Sequence, residues 1–265
     1  MILKAWNVFA MRYATVQRRR IENFIVHDLH DAATHMDYYV WFITDGRETI
    51  LVDTGFDQKA ANERKRTLLR CPIDSLKEAG IPLQDINNTI ITHAHYDHAG
   101  NIDKLKKTNF HIQEREMSYA TGKDMRHAFC RHSYDPHNVC ELIYANFEDR
   151  VAFHDGVYEL RSGIQVHWVG GHTRGLQIVR VHTKRGWIVL ASDAAHYLEN
   201  LVNRSPFPIV SDTIDMLNAY ELIERLAESQ QHIIPGHDPL VMSSYLPSGP
   251  EHLEIVSLTD PIKKS

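Results

Sequence analysis

The stretch Thr92-His93-Ala94-His95-Tyr96-Asp97-His98-Ala99-Gly100 places three imidazoles and a carboxylate within six residues. It continues the β-branched, apolar run Thr89-Ile90-Ile91-Thr92, which reads as a buried strand. The polar cluster therefore stands where a strand stops, the place at which α/β folds gather their ligands. Side chains alternate in an extended segment, so His93 and His95 project to one side and can meet a single metal ion. Asp97 and His98 come after the chain has turned. Gly100 and the polar run beyond it predict a helix starting there, which aims this second pair at a different point, an arrangement that suits two metals side by side. Imidazole nitrogen and carboxylate oxygen are the usual ligands of catalytic zinc and related ions, which keep a position open for water. The plainer alternative is a polar turn whose histidines bond to backbone, and four ligand-type residues in six argue against it.

Other strand ends offer further donors. Upstream, Tyr38-Tyr39-Val40-Trp41-Phe42-Ile43 reads as an aromatic strand, and Asp45-Gly46 turns it into Thr49-Ile50-Leu51-Val52. Asp53-Thr54-Gly55 follows at once, and near a histidine metal site such a carboxylate can orient the ligands. Downstream, the strand over residues 164–169 ends in Gly170-Gly171-His172, with glycines that let backbone approach closely. A hairpin of residues 177–181 and 187–190 ends in Ser192-Asp193-Ala194-Ala195-His196-Tyr197, and a short strand leads to Gly236-His237.

The remaining segments are scaffold. Residues 1–26 read as a strand or hairpin broken by Arg18-Arg19-Arg20, a solvated face; residues 57–70 read as a surface helix stopped by Cys71-Pro72, and 74–80 as a shorter one capped by Gly80. Strand, helix, strand, ligand loop, helix is an α/β order. Residues 114–150 mix helix formers with aromatics and predict a helical insertion, either shaping a pocket lined by Tyr96, Phe129 and Tyr134 or simply packing apolar faces. Ser211-Asp212 caps a helix through Glu228. The chain carries no motif beyond Val241 and is expected to fray past Pro250.

Length and composition set the class. A chain of 265 residues with 43% hydrophobic and 24% charged residues is within reach of one globular domain spanning 1–265. A net charge of −5 with a pI near 6.4 provides no basic field, so nucleic acid is not an expected partner. The start of the chain lacks the pattern of a signal peptide and no apolar run approaches 18 residues, so no membrane partner and a cytoplasmic location are expected. Three cysteines without a CxxC pairing do not support a disulfide framework. Eighteen histidines exceed what one metal site could use.

Taken together, HxHxDH, a histidine about seventy residues on, an aspartate about twenty later and a last histidine about forty beyond resemble the metallo-β-lactamase superfamily over about residues 38–240. The resemblance implies an α/β fold, an αββα sandwich with a dinuclear site at the sheet edges. It implies that His93, His95 and His172 hold one metal, that Asp97, His98 and His237 hold the other, that Asp193 bridges them, and that Asp53 is the family's supporting aspartate. Gly170 stands where a proline commonly precedes Gly-His, a change expected to alter the loop rather than the ligands. Within the superfamily the sequence looks most similar to N-acyl-homoserine lactonases and related small-molecule lactonases, through Asp193-Ala194-Ala195, the total length and the stop soon after His237. That family has a tyrosine shortly after the bridging aspartate that contacts substrate. Here His196 stands in between and Tyr197 one residue later, so both are candidates.

The chemistry follows from two divalent ions, zinc first, with iron, manganese and cobalt as alternatives. Such a pair lowers the pKa of a shared water from 15.7 toward ~7 and polarises a carbonyl, so that a bridging hydroxide opens a lactone ring, that of an N-acyl-homoserine lactone in a quorum-quenching role. Asp97 or Asp193 would shuttle the proton while a metal or the Tyr197 phenol stabilises the departing alkoxide. A thioester hydrolase of the hydroxyacylglutathione hydrolase type is the alternative enzyme, although those carry a helical C-terminal region and only 28 residues follow His237. A non-catalytic metal-binding sensor would keep the same ligands. A homodimer is the expectation from symmetry statistics.

Overall fold

The long antiparallel strands β1 (Asn7–Arg19) and β2 (Ala33–Thr44) divide their side chains between two cores. Val8, Ala10, Tyr39, Trp41 and Ile43 turn toward a second sheet, while Met11, Tyr13, Tyr38, Val40 and Phe42 turn toward helices. Strand periodicity thus builds two apolar layers from one hairpin. The computed structural model describes residues 3–26, 30–260 and 262–263. In it β3 (Thr49–Val52) pairs antiparallel with β2, the short β4 (Thr67–Leu68) pairs with β1, and β5 (Asn88–Ile90), β6 (Asn109–Gln113) and β7 (Val151–His154) extend the sheet in parallel. The second sheet contains β8 (Val157–Arg161), β9 (Ile164–Trp168), β10 (Gln177–Thr183) and β11 (Gly186–Ser192), antiparallel throughout, with β12 (Ile233–Pro235) parallel to β11. Finally β13 (Leu246–Pro247) and β14 (Ile255–Ser257) return to the first sheet, where β14 pairs with β1.

Helices cover both outer faces. On the first sheet lie α1 (Gln58–Arg64), α2 (Pro72–Glu78), α3 (Glu114–Ala120), α4 (Ala128–Arg131) and α5 (Pro136–Phe147), the last three within the insertion expected over 114–150. On the second lie α6 (Leu198–Val202) and α7 (Thr213–Leu226), which buries Met216, Ala219, Tyr220 and Ile223 after a cap in which the Asp212 carboxylate accepts from the Ile214 and Asp215 amides. A short α8 (Leu240–Ser244) sends Val241 into the core between the sheets. The layers run helix, sheet, sheet, helix, the αββα order implied by the family resemblance. Among the described residues no helix is long and apolar enough to cross a membrane.

Four local expectations need correction. The helix expected over 57–70 stops at Arg64, because Lys65 adopts a left-handed conformation (φ 54°) and Thr67-Leu68 then pair with β1. No α-helix starts at Gly100; the chain makes only a 3₁₀ turn, Ile102–Lys104, since Asn101 is left-handed and Gly100 packs so tightly on Gly55 that a side chain there would collide. The basic run is not simply solvated: Arg18 Nε donates to Asn23 Oδ1 at 2.7 Å and Arg20 pairs with Glu199. Nor do the residues just past Pro250 fray. Leu253, Ile255, Val256 and Leu258 are buried, because this alternating segment fills the open edge beside β1.

At the other edge, His111 on β6 bonds Asn88 Oδ1 through Nε2 (2.9 Å) and His154 Nε2 through Nδ1 (3.0 Å), and His154 stacks on Tyr158 at 3.4 Å. Burial, with His154 and Arg161 nearby, pushes the His111 pKa down to about 4. The folded state therefore refuses a proton that the unfolded chain accepts below about pH 6.5. Stability contributed here is full above pH 6.5 and is lost as pH falls toward 4, by up to about 3 kcal/mol. His111→Leu should flatten the acid limb of stability against pH measured by denaturant titration between pH 6.5 and 4. An unchanged slope would contradict the assignment.

Candidate metal centre

The parallel pairings bring the polar strand ends to one edge. Because Val52 pairs with Ile90, Asp53 emerges beside Thr92, its amide donating to the Ile90 carbonyl at 2.9 Å. Because Ser192 pairs with Pro235, Asp193 and His237 emerge together from β11 and β12. Two of these exits are strained: Asp53 (φ 63°) and Ser192 (φ 45°) are left-handed without being glycine, a cost usually borne at functional sites. The strain is held by hydrogen bonds. The Asp53 carboxylate accepts from the Thr92 amide (2.7 Å), the Thr92 hydroxyl (2.8 Å) and His98 Nδ1 (2.8 Å), and Ser192 Oγ lies 2.9 Å from Thr92 Oγ1.

Asp193 stands at the middle. Its Oδ1 lies 3.0 Å from both His98 Nε2 and His237 Nε2, and its Oδ2 lies 3.1 Å from His172 Nε2, 3.0 Å from His196 Nε2 and 3.7 Å from His93 Nε2. His95 Nδ1 is 3.0 Å from both His93 Nε2 and His172 Nε2. Asp97 Oδ2 lies 3.9 Å from His98 Nε2 and from His237 Nε2. All of these residues are buried. The ligand atoms form three sets, each within 4.8 Å: His93, His95, His172 and Asp193; Asp97, His98 and His237; Asp193, His196 and His237.

The outer hydrogen bonds of the rings decide what this arrangement suits. A carbonyl oxygen only accepts, so His172 Nδ1 must donate to the Ile209 carbonyl (2.7 Å) and His237 Nδ1 to that of Asp37 (2.8 Å). His98 Nδ1 is likewise taken up by Asp53. When neutral, each ring turns an Nε2 lone pair inward, toward the carboxylate oxygens and the other lone pairs, and the buried His98 Nε2 has no hydrogen-bond partner. Acceptors facing acceptors without water repel unless a cation lies among them. Neutral imidazoles and carboxylates are a donor set for divalent ions. Burial, reinforced by the neighbouring imidazoles, pushes the His93 and His95 pKa values well below the usual range, which keeps both rings neutral. Burial opposes charge on Asp193 too, but His196, His98, His237 and His172 outweigh it and hold this carboxyl well below the ordinary range.

The family model of the metallo-beta-lactamase superfamily matches residues 34–237. The chain belongs to this superfamily. Among its curated relatives, an N-acyl homoserine lactonase of Bacillus sp is 27% identical over 220 residues, covering 77% of this chain and 82% of that protein. One of Bacillus cereus is 26% identical over 204 residues, covering 71% and 76%. An N-acyl homoserine lactone hydrolase, solved with N-hexanoyl-L-homoserine at its catalytic metal centre, is 20% identical, covers 91% of this chain and 96% of that one, and superposes with a TM-score of 0.73.

One residue that sequence reasoning missed ties this superfamily site together. Glu116 on α3 is fully buried, its Oε1 accepting from the Ala94 amide (2.9 Å) and the Tyr134 hydroxyl (2.8 Å), its Oε2 from the Thr173 hydroxyl (2.7 Å) and the Gly175 amide (3.0 Å). It clamps the 93–95 loop to the 172–175 loop. In sequence it sits in the polar run Glu114-Arg115-Glu116, which looks solvated; the available signal was its place just beyond β6, at the same edge as the ligands.

The other residues singled out are dispersed. Tyr134 stands edge-on to His95 (4.6 Å between rings) and lines an apolar hollow of about 710 Å³ with Met125, Val139 and Ile143. Tyr96 is buried against Phe56, its hydroxyl bonded to Arg66. Phe129 on α4 is 70% exposed and does not line that hollow. Tyr197 donates its hydroxyl to the His35 carbonyl (3.1 Å) and lines a separate cavity with Arg12, Asp37 and Asp238. His196 instead faces Asp193, its ring stacked on Phe207 at 3.9 Å.

Proposed function

We propose that this chain is a dinuclear metal-dependent lactonase that opens N-acyl-homoserine lactones. The observation that carries the reading is the convergence of two donor sets on the two oxygens of Asp193 in a chain whose curated relatives are named as such lactonases. His93, His95 and His172 would hold one ion, Asp97, His98 and His237 the other, and Asp193 both. Divalent ions bound there supply Lewis acidity to a carbonyl oxygen and acidify water from a pKa of 15.7 toward ~7. The chain's own groups do the rest. Asp53 and the carbonyls of Ile209 and Asp37 fix the rings of His98, His172 and His237, so the donors are aimed before substrate arrives. Asp97, whose Oδ2 faces His98 and His237 at the margin of the cluster, would take the proton of the attacking water on its other oxygen and return it to the ring-opened alkoxide. The apolar hollow beside Tyr134 would receive the acyl chain. The same reading makes zinc the first ion to test, quorum quenching the role, and a cytoplasmic homodimer the working form.

Ring opening releases a carboxylic acid, so zinc-loaded protein is expected to acidify a weakly buffered N-acyl-homoserine lactone solution, to lose that activity in a chelator and to regain it with added metal. Metal-loaded protein that binds ions but acidifies no lactone would favour the sensor; one that cleaves only thioesters would favour the alternative hydrolase.

A further inference from the structure

We infer that His196 is a metal ligand, the sixth imidazole of the centre, acting on an ion that Asp193 holds. This rests on the dinuclear reading above. Four imidazole nitrogens lie within 3.1 Å of the Asp193 carboxylate, and they divide evenly: His98 and His237 on Oδ1, His172 and His196 on Oδ2. His196 Nε2 therefore stands to Asp193 as the three other rings do, at the distance that ligands of one ion keep from each other. Its ligand atom and those of Asp193 and His237 lie within 4.8 Å of one another. The ring is also as immobile as the rest, being buried, stacked on Phe207 at 3.9 Å with planes 3° apart and stacked on His237 at 5.0 Å.

Local sequence explains the placement. After Asp193 the backbone turns tightly, with the Ala194 amide donating to the Ala191 carbonyl and the Ala195 amide to that of Ser192, which returns residue 196 to the side of residue 193. The His237 amide then donates to the His196 carbonyl at 2.9 Å, locking the two histidine-bearing loops in register. Tyr197 points the other way, into its bond with His35. His196 Nδ1, moreover, is buried without a hydrogen-bond partner. The ring is thus engaged only through its Nε2 edge, which faces Asp193 Oδ2 at 3.0 Å.

The test is a count of coordinated rings. In protein loaded with two equivalents of cobalt(II), each ligating imidazole gives ring proton resonances displaced far outside the diamagnetic range by contact shifts, whereas a ring that only touches a ligand carries the smaller through-space shift. Six shifted imidazole sets are expected for the unaltered chain, and five for His196→Ala, with retention of the second cobalt in a chelator competition weakened at least tenfold. His196→Phe, which preserves the stack on Phe207, serves if the alanine variant does not fold and should also give five. Five sets before and after substitution would overturn the inference while leaving the dinuclear reading intact. Failure of the unaltered chain to take up two ions would overturn that reading, and this inference with it.

Discussion

Replacement of Asp193 by alanine is expected to lower kcat/KM on a lactone by on the order of 10³-fold and to release at least one of the two ions. Removing a single preorganised electrostatic contact from an active site typically costs on the order of 10²–10³-fold. Asp193 is worth more than one contact, because His98, His237, His172 and His196 all crowd its two oxygens. Without that carboxylate the inward lone pairs of His98 and His237 lose the anion that helps draw a cation between them and the His93 side. Metal analysis alongside steady-state kinetics checks the result. A variant that kept both ions and a rate within about tenfold of the original would show that Asp193 is not shared between two sites.

The second large effect concerns stability. Glu116→Ala should lower the melting temperature of metal-free protein by on the order of 10 °C. Four donors, two amides and two hydroxyls, end on this one buried carboxylate. Hydrogen bonds to a charged group contribute about 1.5–3 kcal/mol each, and their loss leaves the Ala94 and Gly175 amides buried and unpaired. Water could enter the gap, so the sum is not additive, and a net loss of about 4 kcal/mol is the expected order. Glu116→Gln should recover part of it, because one oxygen remains an acceptor while the amide group confronts two donors. Thermal unfolding after chelator treatment is the appropriate measurement, since bound ions stabilise the folded state by mass action and would mask the difference. A shift of less than about 3 °C for the alanine variant would mean that the two loops are held together by something other than Glu116.

Much of this was legible along the chain, for a physical reason. A strand of apolar, β-branched residues that ends in clustered histidines identifies itself locally, so the segments ending at Asp53, at His93 and His95, at His172, at Asp193 and at His237 could be placed at a sheet edge before any tertiary contact was known. Family resemblance then supplied their grouping and the four-layer sandwich. What stayed hidden depends on partners far away in sequence. Glu116 looks like any acid in the first turn of a helix until the loops of Ala94 and Gly175 are brought against it. Residues 253–258 look like a tail until the free edge of β1 is seen beside them. The helix after Asp57 reads as longer than it is because propensity is indifferent between Arg64 and Arg70, and the left-handed turn at Lys65 is decided by the pairing that follows. The choice between His196 and Tyr197 was open in the sequence, and the tight turn after Asp193 separates them: one ring faces the carboxylate, the other phenol leaves it.

The placing of β14 beside β1 has a consequence for how the protein is made. His237 is aimed by the carbonyl of Asp37, the Asp37 carboxylate is gripped by Arg12 at 3.0 Å, and Arg12 is in turn gripped by Glu254, just ahead of Ile255–Ser257. Every donor of the centre therefore precedes in the chain the residue, Glu254, that steadies the last of them. A chain cut short at residue 250 would accordingly carry every donor of the centre while leaving the Arg12–Asp37 brace behind His237 without Glu254.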